Sequence, residues 1–145
     1  MKIKYLKFRH WLLATIAAVA GITVGCDDHN IACEYGTPEA EYHIRGQVLS
    51  PEGNPIPGIE VQQYGSPVDT TDGQGSFAHT AYNHFPGESF PLVFIDIDST
   101  ENGSYQDTTV VVDTKEVELT GGDGNWNQGS GTIDLTVTMT PKSGK

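Results

Sequence analysis

Beyond residue 38 the chain alternates apolar and polar positions with a period of two. Tyr42, Ile44 and Val48 alternate with Glu41, His43, Arg45 and Gln47, the signature of a strand with one buried face, although Gly46 interrupts the apolar side. Pro51, Pro55 and Pro57 with Gly53 and Gly58 make the next stretch unfit for helix or central strand, and Ile59 and Val61 open a second strand. Thr71-Asp72-Gly73-Gln74-Gly75-Ser76-Phe77 reads as a turn. Asp72 can bond forward to backbone N–H groups there, and two glycines are free to take positive φ. Phe77 then anchors a strand in the core. Val93, Ile95 and Ile97 form one face of a further strand, Phe94, Asp96 and Asp98 the other, and Val110 to Val112 is a β-branched run. In the last strand Ile133, Leu135, Val137 and Met139 oppose Thr132, Asp134, Thr136, Thr138 and Thr140, so it should close one sheet with a solvated outer face. No segment after Gly25 carries a helical stripe. Strands spaced roughly 8–15 residues apart between Gly, Pro and Asn turns predict an all-β sandwich of about seven strands. It would occupy 39–142, with 143–145 as a tail and a small barrel as the alternative.

The N-terminus follows a different rule. Lys2, Lys4, Lys7 and Arg9 precede an apolar run from Trp11 to Val24, which marks residues 1–25 as a secretory signal peptide. The run is shorter than the about 20 apolar residues that a spanning helix needs. Ile22-Thr23-Val24-Gly25-Cys26 resembles a bacterial lipobox, with Thr23 where Leu is usual. That resemblance implies an acylated Cys26 at the mature N-terminus, and the aperiodic stretch from there to Pro38 reads as a flexible tether, 26–38. The expected location is the cell envelope, lipid-anchored to a bacterial membrane, at the outer membrane or cell surface. A plain signal peptide cut nearby, with Cys26 an ordinary thiol, is the competing reading.

Charge narrows the partners. Four of the eight basic residues and none of the nineteen acidic ones fall within residues 1–25, so the remainder carries four basic against nineteen acidic residues, a net −15. Such a body is repelled by phosphate backbones and anionic headgroups, which excludes nucleic-acid binding. Cys26 and Cys33 are the only cysteines. A lipidated Cys26 cannot pair, which leaves Cys33 as an odd thiol: tolerated, joined to another chain, or enzymatically modified. The five histidines show no zinc-ligand spacing.

Gly46-Gln47-Val48, Gly53 to Val61 and Thr71 to Phe77 together resemble the carboxypeptidase regulatory-like domain. The resemblance implies an Ig-like or transthyretin-like β-sandwich that serves as a non-catalytic appendage. A narrower likeness rests on Cys33-Glu34-Tyr35-Gly36-Thr37-Pro38, the same first strand pair, Asp96-Ile97-Asp98 with Asn102-Gly103, and the Gly-Gly-x-Gly-x-Trp element that ends at Trp126. On these residues the chain is similar to the radical SAM-associated lipoproteins of Bacteroidetes, which implies a substrate or partner of a radical SAM enzyme.

Candidate chemistry is sparse. Asp96, Asp98, Glu101, Asn102 and Asp107 gather hard oxygen ligands of the kind Ca²⁺ takes. Thr100 and the late Gly103 depart from an EF-hand, and a solvated strand end is the plainer reading. Trp126, in the glycine-rich 121–129 stretch, caps an open end of the core or serves with Tyr82 as a ligand-stacking ring. No serine or cysteine sits in a nucleophile turn, so the chain is not expected to be an enzyme. Two classes of function remain. One is a membrane-anchored interaction protein tied to a radical SAM system; the other is a surface module for glycan or protein ligands, with Ca²⁺ as an optional cofactor.

Overall fold

The computed structural model describes residues 36–98 and 101–143. The expected signal peptide, Cys26 and Cys33 lie outside the described residues. Eight strands form: β1 (Glu39–Leu49), β2 (Ile59–Gln63), β3 (Ser66–Thr70), β4 (Ser76–His84), β5 (Phe90–Asp96), β6 (Thr108–Val112), β7 (Thr120–Gly121) and β8 (Asn127–Thr138). They make two four-stranded sheets, β4-β1-β8-β7 and β3-β2-β5-β6, here the β1 sheet and the β5 sheet. Two open sheets packed on one core are consistent with a β-sandwich and not with the barrel alternative. Eight strands meet the expectation of about seven, and β3 and the two-residue β7 carry no apolar alternation that would announce them.

Alternation sets which face is buried. Tyr42, Ile44 and Val48 of β1 meet Ile59 and Val61 of β2 and Phe90, Leu92 and Phe94 of β5 in one core. Across the layers, Phe77 packs edge-on against Phe94 with ring centroids 5.2 Å apart, and Tyr42 lies tilted against Phe90 at 6.3 Å. Gly46 interrupts β1 for a visible reason. A Cβ there would lie 2.9 Å from the Phe77 ring and against the Leu135 carbonyl, so the glycine makes room for the phenylalanine.

β8 does not close its sheet, as the sequence suggested it should. It lies between β1 and β7, running parallel to β1 with Ile44 opposite Ile133 and Val48 opposite Val137. The turn before β4 forms as read: Asp72 Oδ1 accepts the N–H groups of Gln74 at 2.8 Å and Ser76 at 2.9 Å. Of its two glycines only Gly75 takes positive φ, at 67°.

Candidate functional site

Asp96 faces the core with Phe94 and is buried. Its Oδ2 accepts the Tyr105 N–H at 2.7 Å, which holds the loop after β5 as it returns towards β6. Asp98 Oδ2 instead accepts the Asn102 side-chain amide at 2.7 Å and lies against Gly58. Glu101, Asn102 and Asp107 are exposed. Among the described residues no group of three or more His, Cys, Asp or Glu side chains is placed to hold a metal ion. Of the candidate carboxylates, those of Asp96 and Asp98 bond to their own chain.

The residues expected to stack on a ligand lie at the opposite end of the molecule. Ala40 pairs with His84 and Glu39 with Asn127, so the end of β4 and the start of β8 flank the start of β1. Tyr82 is 64% exposed there. Trp126 is half-buried, with its ring carbons against Gly36, and its carbonyl accepts the Glu39 N–H at 2.7 Å. It clasps the chain entering β1.

Tyr64, which the sequence reading missed, joins this end. Gln63 pairs with Ser66 across a two-residue turn in which both Tyr64 (φ 50°) and Gly65 (φ 78°) are left-handed. Such a turn prefers Asn-Gly, because a bulky residue at positive φ is strained. The Tyr64 ring, 67% exposed, stacks on His84 with centroids 6.2 Å apart. The only sequence signal was the glycine that follows it.

A polar seam ties the sheets beside this end. Gln63 Oε1 lies 2.7 Å from His79 Nε2, and Gln63 Nε2 lies 2.9 Å from His84 Nε2. The amide N–H can only donate, so His84 Nε2 accepts, which leaves the His84 ring neutral, and His79 Nε2 donates to the amide oxygen. Burial pushes both pKa values down, chiefly by desolvation. His84 adds to the effect on His79 while Asp69 opposes it, and Glu88 opposes it at His84. Below the seam the Tyr42 hydroxyl is buried without a partner among the described residues.

The outer faces of the two sheets differ. On the β1 sheet a shallow groove is lined by His43, Ile44, Arg45, Ala78, Thr80 and Thr132, and Arg45 Nε holds Asp134 Oδ1 at 2.6 Å beside it. On the β5 sheet the outward positions of β5 are Pro91, Val93 and Ile95, followed by Ile97 at 54% exposure. Val111 of β6, opposite Pro91, is 66% exposed.

No protein-family model matches the chain, and a search of the curated proteins gives no match. Among the described residues no helix is long and apolar enough to cross a membrane.

Proposed function

We propose that the chain is a lipoprotein of the bacterial cell envelope, held by an acylated Cys26. Its Ig-like or transthyretin-like sandwich is then a non-catalytic interaction module, serving a radical SAM enzyme system as substrate or partner. The observation that carries the interaction reading is the outer stripe of Val93, Ile95, Ile97 and Val111, partly or largely exposed on a strongly acidic chain. Contiguous apolar surface with a polar surround marks contact with another macromolecule. Cys33, on the tether, is the candidate modification site. Radical SAM enzymes are cytosolic, so modification precedes export or the link is indirect.

Intact and tandem mass spectrometry of the protein purified from its native membrane tests this. An acylated Cys26 with a mass change at Cys33 supports both parts of the proposal. An unmodified Cys33 keeps the anchor and removes the substrate role, and an unacylated Cys26 overturns the anchor.

A second reading, a surface module that binds glycan or another ligand, is favoured by the exposed aromatic rings of Tyr64 and Tyr82 at one end. Saturable glycan-array binding lost in Tyr82→Ala supports it, and blank arrays count against it. Its calcium-dependent form expects Ca²⁺ to raise the melting temperature and Asp98→Ala to remove the rise.

A further inference from the structure

The two sheets have four edge strands, and three are closed to a further strand. β3 carries Pro67, which has no N–H to donate. On β4 the Ala78 N–H is taken by the Asp69 carboxylate at 2.7 Å. β7 is two residues long and contains Gly121, and the stretch of β8 that runs on beyond it carries the charged Asp134. Each is a recognised way of blunting an edge. β6 has none of them. Thr108-Thr109-Val110-Val111-Val112 is β-branched throughout, without proline, glycine or charge, and it ends the β5 sheet.

The alternation of an antiparallel ladder fixes which of its backbone groups face outward. Ile59 directs its N–H and its C=O to Thr71, away from β5. Glu60 and Gln62 therefore carry the bonds of β2 to Ile95 and Val93. Phe90, Leu92 and Phe94 then turn to Val112, Val110 and Thr108. Thr109 and Val111 keep N–H and C=O groups that point out of the sheet, and their side chains stand exposed on its outer face.

A second copy of the chain would suit this edge by shape, but charge opposes it. The antiparallel register that pairs all five residues is centred on Val110 and sets Asp107 opposite Asp113 of the other copy. Like charges directly opposite are destabilising, on a chain whose net charge is −11. The same two carboxylates, one beyond each end of an uncharged run, complement an extended segment with a cation at each end.

We propose that β6 is the docking edge of this domain and that its occupant is an extended segment of a partner protein, an alternating β-branched run flanked by Lys or Arg. The segment completes the ladder at Thr109 and Val111, continues the outer apolar stripe with its own side chains, and places its cations against Asp107 and Asp113. This deepens the reading of the domain as an interaction module and does not depend on its lipid anchor.

The probe is the capped peptide Lys-Thr-Val-Thr-Val-Thr-Lys, compared with the same peptide ending in Glu at both sides. Amide hydrogen exchange is followed in the full chain. The Lys-ended peptide is expected to protect Thr109 and Val111, and the Glu-ended peptide to leave them unchanged. Val111→Pro removes one outward donor and leaves the β5 ladder intact, and should weaken the peptide by about tenfold. Asp107→Lys with Asp113→Lys should reverse the preference, which a folding defect would not do. Equal protection by both peptides, or none by either, overturns the proposal. Protection of both amides in the peptide-free chain, together with a dimer in sedimentation, makes a second copy the occupant and overturns it too. Either failure leaves the Cys26 and Cys33 masses as they are, so this proposal and the anchored-substrate reading fail separately.

Discussion

On the β1 sheet the outward side chains include His43, Arg45, Gln47, Thr132, Asp134 and Thr136, while on the β5 sheet they include Pro91, Val93, Ile95, Ile97 and Val111. Both sheets obey the same alternation and share one core, so folding alone does not call for the difference. The β1 sheet has the composition of a sheet with one wet face. β5 reads as a near-continuous apolar run, the composition of a strand covered on both sides. Its inner face is covered by the β1 sheet, and its outer face has the composition of a covered one without cover among the described residues.

The largest effect is expected on β5 itself. Phe94→Ala, on the inner face, should cost about 3–5 kcal/mol in denaturant unfolding, because it leaves a cavity beside Phe77. A small loss there would mean that the two faces are not as unequal as described. At the end where the sheets are joined, Tyr64→Asn should raise stability by about 0.5–1 kcal/mol, since Asn accepts the left-handed turn position better than Tyr. If glycan binding falls while stability rises, the strain at Tyr64 is kept for a ligand. On the outer face, Ile97→Thr with Val111→Thr should change stability by no more than about 0.5 kcal/mol while lowering retention on a hydrophobic column. A large destabilisation would make the stripe part of the folding core.

The smallest effect is set by pH. His79 and His84 have pKa values held below the ordinary 6.5, so the unfolded chain takes up protons that the folded one refuses. Their contribution to stability is complete above about pH 6.5 and is lost as pH falls through the lowered values. The melting temperature should therefore decline on acidification below that point, and His79→Gln with His84→Gln should flatten the decline. A decline of equal size in the double variant would assign it to other groups.

Strong local alternation made β1, β8 and the Asp72 turn legible in the sequence. β5 was ambiguous because both of its faces are apolar. The return of Tyr105 to the Asp96 carboxylate, nine residues away in sequence, helps hold an acid on the inner face, and periodicity does not report it. The space for Phe77 over Gly46 and the parallel pairing of β1 with β8 join residues distant in sequence, which periodicity cannot report. β3 was hidden because Ser66 and Pro67 look like loop, and Tyr64-Gly65 lacks the Asn that usually marks such a hairpin. Of the candidate residues, Tyr82 and Trp126 share one end of the fold. The acidic set at the other end is bonded within its own loop at Asp96 and Asp98. The β6 edge was visible only as a β-branched run, since an edge is a property of the sheet and not of the strand.

The most direct test of the central claim, that the outer face of the β5 sheet is the contact surface, is hydroxyl-radical footprinting of the protein in native envelopes against the same protein purified. Val93, Ile95, Ile97 and Val111 should be shielded in the envelope while His43, Thr132 and Thr136 label equally in both. Equal labelling of the two faces, or shielding confined to the β1 sheet, would contradict it.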